Sequence, residues 1–301
     1  MKNLLFTSTL FLIVNFSFAQ TKIENDLSKG NLKGKVKFYS ESHYELVEKF
    51  GEIEKGSLGD KYTYKYDVKG DKIEDEGDVV EGVYKTTYKY DVKGNNIERN
   101  YCDADGSLCD KFTYKYDVKG NMIEENYYKI SALNYKYKYQ YDEKGNMIEE
   151  NNYNADGSLR FKHTYKYDEN GNEIEHNNYN GDGSLSDKIT NKYDEKGNKI
   201  EYNNYNADGS LSSKNTNKYD EKGNMIEYSG YNADGSLSNK FTYKYDEKGN
   251  MIESISYNAD LILRSKRTYK YEFDATGNWI KKTLITDGKP EQLIERVIKY
   301  Y

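Results

Sequence analysis

The chain has few of the residues that usually fill a globular core. Only 36% of its 301 residues are hydrophobic even when its 34 tyrosines are counted, and it has one proline and two cysteines. The scarcity of proline argues against a proline-rich stalk or linker. A charged fraction of 32% and a mean hydropathy of −1.06 favour disorder. However, disordered chains are poor in aromatic residues, and 15% of this chain is aromatic.

A basic surface and long apolar segments are also missing. The net charge is −6 and lysines alternate with glutamates, so we expect no nucleic-acid partner. The one apolar run lies in residues 1–19, where Lys2, the segment from Leu4 to Val14 and a small residue at Ala19 are typical of a signal peptide. This run is shorter than the ~20 residues of a membrane span. We therefore predict cleavage after Ala19, a periplasmic or secreted protein without stable membrane insertion, and a disordered polar leader over residues 20–34.

The rest of the chain is an internal repeat. Tyr-Asp pairs recur every 24 to 26 residues, beginning at Tyr66, Tyr90, Tyr116, Tyr141, Tyr167, Tyr193, Tyr219 and Tyr245, with a variant at Tyr271. A fixed period of this kind is typical of an array in which each unit packs only against its neighbours. We therefore predict one repeat domain over residues 35–301, with capping strands near 36–46 and 271–301.

Each unit has two glycine turns and two strand-like segments. Turns such as Asp142 to Asn146 and Asn154 to Ser158 suit three-residue hairpin loops that end in a glycine bulge. The segments between them are rich in Tyr, Thr, Ile and Phe. The predicted fold is all-β, an antiparallel hairpin array of about 18 strands in one coiled or twisted meander sheet, with about 26 residues per two-strand unit. The tyrosine face could lie inside the coil, or the sheet could remain an open ribbon.

The predicted register makes further claims. It pairs Tyr141 with Met147 and Tyr153 with Leu159, both on one aromatic face. The isoleucine after each first turn, such as Ile148, then falls on the lysine face. Either an additional bulge turns this isoleucine inward, or lysine stems cover it in a second packed layer.

The two cysteines test the same register. Cys102 is predicted to lie opposite Leu108, and Cys109 opposite Tyr101, so the two thiols would point to opposite faces of the sheet. No disulfide is therefore expected, although two cysteines in an exported protein would otherwise suggest one.

The repeated Y-x-Y-D-x-x-G-N motif over about residues 62–280 is similar to the YD repeat, also called the rearrangement-hot-spot (Rhs) repeat. This resemblance implies a coiled β-sheet shell and a role in carbohydrate or cell-surface binding. Large members of that family carry a proline-containing processing motif and a toxic C-terminal domain. The only proline here is Pro290, near the end of the array, so a short exported bacterial member without a toxin domain is expected.

Candidate binding residues follow from the tyrosine rows. These rows could stack on sugar rings or could form the core of the coil, and asparagine interrupts one of them in two units. The candidates are Tyr114, Tyr139, Tyr165, Tyr243, Tyr269, Asn191 and Asn217.

No catalytic, metal or cofactor site is predicted. Carboxylates recur with the period, His43, His163 and His176 lack ligand spacing, and Asp103 to Ser107 lacks the rest of a calcium loop. The leading hypothesis is a non-enzymatic exported protein that binds a glycan or an envelope or protein partner. The alternative is a structural spacer without a ligand, and a glycosidase-like enzyme ranks third.

Overall fold

The computed structural model describes residues 26–29, 32–79, 82–103, 105–106 and 109–301. The predicted signal peptide and the first part of the leader lie outside these residues. The described chain has one short helix and 20 strands: α1 (Asp26–Lys29), β1 (Val36–Lys49), β2 (Glu52–Tyr66), β3 (Lys72–Val79), β4 (Gly82–Tyr90), β5 (Asn96–Asp103), β6 (Cys109–Tyr116), β7 (Met122–Lys129), β8 (Ala132–Tyr141), β9 (Met147–Asn154), β10 (Leu159–Tyr167), β11 (Glu173–Asn180), β12 (Leu185–Tyr193), β13 (Lys199–Asn206), β14 (Leu211–Tyr219), β15 (Met225–Asn232), β16 (Leu237–Tyr245), β17 (Met251–Asn258), β18 (Leu263–Phe273), β19 (Trp279–Thr286) and β20 (Lys289–Tyr300). No helix among the described residues has the length and apolar character needed to cross a membrane.

The strands form one antiparallel sheet that closes on itself. Each strand pairs with the next along the chain, and β1 also pairs with β20. The prediction of an all-β antiparallel meander is confirmed, but the coiled or twisted sheet of about 18 strands is a closed barrel of 20. The end strands, expected to cap the array, pair with each other. With strands about 4.8 Å apart and tilted by about 40°, a circular ring of these 20 strands would be about 40 Å across.

The seam between β1 and β20 carries its own side-chain contacts. Arg296 Nε donates to Glu41 Oε2 at 2.8 Å. The Arg296 guanidinium also lies 3.3 Å from the centre of the Trp279 ring. The bond to Glu41 joins the first and last strands, so it stabilises the closed ring over an open ribbon, while Trp279 on the adjacent β19 holds the Arg296 side chain.

The repeated turns have the predicted loop geometry. In the turn after β8, Asp142 N donates to Asn146 O at 2.9 Å, Gly145 N donates to Asp142 O at 3.1 Å, and Gly145 has a φ of 90°. The Asp142 carboxylate accepts hydrogen bonds from Asn146 N at 2.8 Å and Asn146 Nδ2 at 2.9 Å. Aspartate and asparagine therefore fix the turn while glycine supplies the positive φ.

Each of these turns is followed by a second bulge, at the repeated isoleucine. Tyr141 pairs with Met147 and Gln140 with Glu149, which leaves Ile148 unpaired between them. The side chain of Ile148 is 38% exposed. The predicted additional bulge is therefore present at the isoleucine. However, the bulge does not turn the isoleucine inward, and no second packed layer covers it.

The bulges also change which residues share a face. Tyr153 pairs with Leu159 as predicted, but Asn152 pairs with Phe161, so Arg160 is unpaired. Tyr153 lies opposite Lys136 on its other side, which places it on the lysine face. Tyr141 shares the other face with Tyr139 and Tyr137, because successive side chains of β8 alternate between the two faces. The prediction that both pairs share one face is wrong because uniform alternation ignores the bulge.

The cysteine prediction fails for a related reason. Cys102 pairs with Cys109, Tyr101 pairs with Asp110, and the two cysteines form a disulfide. Cys109 corresponds to Arg160, the unpaired bulge residue of a sister unit, but here that residue pairs directly. The predicted register is therefore one residue out, and the two cysteines share a face.

One face of the sheet points into the ring and the other points outward. Lysines of one face, on every second strand, have side chains that are 65–69% exposed. On the other face, burial raises the pKa values of Tyr64, Tyr88 and Tyr139 well above the usual range. Side chains converge on the concave side of a closed sheet, so we assign the aromatic face as the inner face and the lysine face as the outer face.

The ring is hollow over the residues that the structure describes. Inner-face aromatic residues such as Tyr137, Tyr139 and Phe161 remain partly exposed, whereas a core that filled the interior would bury them. The one buried apolar cluster, made of Leu27, Leu32, Val36 and Tyr66, lies at the end of the ring near the β2–β3 turn. Inner-face tyrosines therefore form a lining and do not fill a solid core.

The disordered leader is a wrong prediction where the chain is described. Leu27 and Leu32 are only 6% and 9% exposed. Leu27 N donates to Gly70 O at 3.2 Å, and the Asp26 carboxylate accepts hydrogen bonds from Lys72 N at 2.9 Å and from Tyr90 Oη at 3.0 Å. Two leucines without periodicity gave no sequence signal, but they bury enough apolar surface to hold the segment on the ring.

Candidate functional site

A continuous series of aromatic rings lines part of the inner face. From β6 to β11, each ring centre lies 4.6–6.0 Å from the next, and the series is Phe112, Tyr127, Tyr135, Tyr137, Phe161, His163, His176 and Tyr165. We call this set the aromatic wall. Because the ring is hollow, the wall faces open space and its rings are available to a ligand.

Two cavities on the ring have volumes of about 660 and 760 Å³. The larger of the two adjoins the aromatic wall. It measures 760 Å³ and is lined by Asp75, Tyr84, Thr86, Tyr88, Arg99, Tyr101, Asp110, Phe112, Tyr127 and Tyr135. Within it the Tyr84 and Tyr101 rings stack with centres 5.0 Å apart. We call this space the aromatic cavity. Its mixture of ring faces and a few polar groups is typical of small-molecule sites.

The polar groups of the aromatic cavity are partly engaged. Tyr88 Oη donates to Asp75 Oδ1 at 2.6 Å, and Tyr127 Oη donates to Asp110 Oδ2 at 2.6 Å. The bond to Asp110, followed by burial, raises the pKa of Tyr127 to about 12. The Arg99 guanidinium lies 4.0 Å from the centre of the Phe112 ring, and its buried Nε has no hydrogen-bond partner among the described residues. The carboxylates are thus held as acceptors, and Arg99 keeps one donor free.

Another tyrosine row has a structural role. From Tyr90 onwards, the tyrosine of each Tyr-Asp pair donates its hydroxyl to a backbone carbonyl in the preceding unit, as Tyr167 does to Met147 O at 2.7 Å. The same contact is made at 2.7–3.0 Å by Tyr90, Tyr116, Tyr141, Tyr193, Tyr219, Tyr245 and Tyr271. The accepting residue directly precedes the bulged isoleucine, where the ladder is interrupted. This row joins successive units and is engaged in the fold.

The predicted binding tyrosines lie on the inner face but do not converge on one site. Tyr165 belongs to the aromatic wall, 4.6 Å from His176, and Tyr139 contacts the wall by stacking on Tyr137 at 6.1 Å. Tyr243 stacks on Phe241 at 6.5 Å. Lys282 Nζ lies 4.9 Å from the centre of the Tyr269 ring. Tyr114 lines a separate cavity of 450 Å³ near Asp26. The five tyrosines are thus spread around the ring on every second strand or further apart.

Asn191 and Asn217, where asparagine interrupts the tyrosine row, are buried, with 6% and 8% exposure. They lie opposite Tyr202 and Tyr228, so in these two units the aromatic side chain of the pair is on the neighbouring strand. Asn191 Nδ2 donates to Glu173 O at 2.9 Å, and Asn217 Nδ2 donates to Lys199 O at 2.8 Å. Each keeps an Oδ1 without a partner among the described residues.

Two features of the inner face were not predicted from the sequence. The cavity residues Tyr84, Tyr101 and Tyr127 interrupt the regular tyrosine rows, so a search for periodic positions passes over them. His163 and His176 lie 13 residues apart, yet their ring nitrogens are 3.1 Å apart across β10 and β11. Burial lowers the pKa of His176. No group of three or more potential metal ligands occurs in the described part of the chain.

The outer face is a regular ladder of charges. Glu201, for example, lies 2.8 Å from Lys192 and 2.7 Å from Lys214 on the flanking strands. Hydrogen bonds from these two lysines lower the pKa of Glu201 to about 2. Equivalent glutamates and lysines repeat around the ring. The outer face is therefore internally neutralised, and the inner face carries the more varied chemistry.

Comparisons of the chain with known proteins give similarities to solved structures only. No family model and no curated protein matches it. Among solved structures, TcdB2-TccC3 is 14% identical, with 81% of this chain covered, 15% of that chain spanned and a TM-score of 0.37. A porin-like protein from Bacteroides uniformis is 10% identical (89% and 98% covered, TM-score 0.39), and one from Bacteroides vulgatus is 12% identical (86% and 97%, TM-score 0.31). At these identities and scores the similarities support no functional conclusion.

Proposed function

We propose that this is a non-enzymatic, exported binding protein that holds a glycan against the inner face of its barrel. The observation that carries the proposal is the aromatic wall, which faces a hollow interior and borders the 760 Å³ aromatic cavity. Tyrosine rings offer an apolar face for the C–H face of a sugar, and their hydroxyls offer polar contacts at the edge. The resemblance of the repeat to the YD/Rhs unit supports the same role, and the signal-like N-terminus supports export.

A binding role fits the chemistry of the cavity better than a catalytic one. Asp75 and Asp110 both accept short hydrogen bonds from tyrosine hydroxyls. A glycosidase pair instead needs one carboxyl group that can protonate the leaving oxygen and a second one placed across the scissile bond. Acceptors held in this way can bind sugar hydroxyls.

Adjacent tyrosines on β7 provide a matched test. Tyr127 lies in the aromatic wall, whereas Tyr128 pairs with Lys111 on the outer face. Glycan-array screening of the full chain should identify bound oligosaccharides, and calorimetry should then show that Tyr127→Ala weakens binding about tenfold, which corresponds to about 1.4 kcal/mol.

The control Tyr128→Ala should leave that affinity unchanged. Equal losses in the two variants would contradict binding at the inner face. An array without any bound glycan would favour the alternative of a structural protein without a ligand.

A further inference from the structure

One inner position changes from unit to unit while the two residues before it stay constant. Eight units carry an Ile-Glu pair at the start of the odd-numbered strand, and the glutamate takes part in the outer ladder. The next residue points inward and is Asp75, Arg99, Glu125, Glu150, His176, Tyr202, Tyr228 or Ser254. The fold accepts all of these side chains at one place, so folding does not determine their identity. This inner position can therefore carry residues that suit a ligand without a change in the fold.

Two successive units place a glutamate at this position. Glu125 on β7 lies opposite Tyr137, and Glu150 on β9 lies opposite Tyr139. Both tyrosines belong to β8, which runs between the glutamates, and their rings stack with centres 6.1 Å apart. Tyr139 Oη donates to Glu125 Oε2 at 3.4 Å. Two carboxylates therefore flank a pair of aromatic rings on one side of the hollow interior.

The two carboxylates are not neutralised as their outer neighbours are. Glu124 and Glu149, one residue earlier in each strand, lie 2.7 Å from Lys115 and 2.5 Å from Lys162. Within the described part of the chain, neither Glu125 nor Glu150 forms an ion pair. Burial raises the pKa of Glu125, Arg99 and the hydrogen bond from Tyr139 oppose this effect, and the Glu150 charge adds a smaller rise. A cation placed between the glutamates would relieve this repulsion.

A buried amide beside the glutamates also lacks partners. Asn152 is the next inner residue after Glu150 on β9 and lies between Tyr137 on β8 and Phe161 on β10. It is 0% exposed, and neither its Oδ1 nor its Nδ2 has a hydrogen-bond partner within the described ranges of the chain. Unpaired buried amides are uncommon because each costs the hydrogen bonds it made in water. A ligand that slips beneath the Tyr137 ring could supply both.

We propose that Glu125, Glu150, Tyr137 and Tyr139 form a subsite for a protonated amine on the bound glycan, that is, for an amino sugar whose nitrogen is not acylated. The carboxylates supply opposite charge, the tyrosine rings supply cation–π attraction, and Asn152 supplies an acceptor and a donor for the neighbouring sugar groups. This inference rests on the proposed glycan-binding function and specifies its ligand class.

The test compares two probes of equal length, the tetrasaccharide of β-1,4-linked glucosamine and that of N-acetylglucosamine. Calorimetry on the full chain at a pH where the amine is protonated and the carboxylates are ionised should give at least tenfold tighter binding of the glucosamine probe. Glu125→Gln and Glu150→Gln should each remove most of this preference. The matched controls Glu124→Gln and Glu149→Gln, which alter the outer face, should preserve it.

The outcomes separate this inference from the proposed function. Equal binding of both probes, unaffected by Glu125→Gln or Glu150→Gln, would leave the glycan-binding function standing and overturn the amine subsite. If neither probe binds and no other glycan does, both proposals fail. If the inner variants do not fold, the wild-type chain still decides: the glucosamine probe should shift the carboxyl ¹³C resonance of Glu125 and lower its midpoint of titration, and an unchanged resonance would overturn the subsite.

Discussion

The hydroxyl of each Tyr-Asp tyrosine provides a quantitative test of how successive units are joined. Tyr167 Oη donates to Met147 O at 2.7 Å, and Tyr165, two residues earlier, makes no contact with that carbonyl. In the following unit Tyr193 Oη donates to Glu173 O at 2.8 Å, but Asn191 Nδ2 also donates to this carbonyl at 2.9 Å. Replacement of the tyrosine by phenylalanine therefore leaves Met147 O without a side-chain donor, whereas Glu173 O keeps the donor from Asn191.

Tyr167→Phe should be the more destabilising variant. A net hydrogen bond contributes about 0.5–1.5 kcal/mol, and an acceptor left unsatisfied costs about 1–3 kcal/mol. Since Met147 O is only partly buried, we expect a loss of about 1–2 kcal/mol for Tyr167→Phe, and less than about 0.5 kcal/mol for Tyr193→Phe because Asn191 retains the contact. Adding Asn191→Ala to Tyr193→Phe should raise its cost to that of Tyr167→Phe or above.

Urea unfolding followed by circular dichroism measures these differences as shifts of the midpoint at an unchanged m-value. Tyr128→Phe, on the outer face, serves as the control for loss of a hydroxyl. Equal midpoints for Tyr167→Phe and Tyr193→Phe would refute the reasoning, because the second donor would then contribute nothing.

Three further predictions concern the disulfide, the outer ladder and the N-terminal segment. Thiol titration of the unreduced, denatured protein should find no free sulfhydryl at Cys102 or Cys109, and Cys102→Ser together with Cys109→Ser should cost about 2–3 kcal/mol for a loop of this length; two titratable thiols would contradict the observed pairing. The pKa of Glu201 is about 2 in the folded protein, below its value of about 4.3 in an unfolded chain, so its stabilising contribution is present at neutral pH and is lost as the pH falls from about 4.5 towards 2. Glu201→Gln should therefore reduce the drop in urea midpoint between neutral and acidic pH, and an unaltered drop would exclude the ladder as its cause. Leu27→Ala should cost about 2 kcal/mol through lost burial and expose the N-terminal segment to limited proteolysis, and an unchanged cleavage pattern would show that this cluster does not hold it.

The repeat made most of the strand pattern predictable, because two glycine turns per unit determine where every strand begins and ends. The same regularity gave no indication of the bulges. Ile148 and Arg160 are unpaired for geometric reasons that a period of two residues does not express, and the face of Leu159 and the pairing of Cys109 both depend on them. Closure was not predictable either, since it depends on Arg296 and Glu41 meeting across the two ends of the sequence.

The candidate site was predictable only where it followed the period. Tyr139 and Tyr165 belong to a regular row and were identified, whereas Tyr84 and Tyr101 occur where the row is irregular. The approach of His163 to His176 and the pairing of Glu125 with Tyr137 require the strand register, which the sequence alone specified to within one residue. The sequence did not single out the glutamates of the proposed amine subsite, because glutamate is frequent in every unit and each of the two lies beside a glutamate that faces outward.

Hydrogen exchange at the seam tests the closed ring most directly. In the closed barrel, β20 is hydrogen-bonded to β19 on one side and to β1 on the other, so peptides covering Lys289–Tyr300 should be protected as strongly as those covering the interior strand Leu185–Tyr193. In an open ribbon β20 would be an edge strand, and about half of its amides would lack a partner. Protection of β20 equal to that of β12 is the result expected here, and rapid exchange of alternate β20 amides would contradict the closed barrel and the hollow interior on which the binding proposals depend.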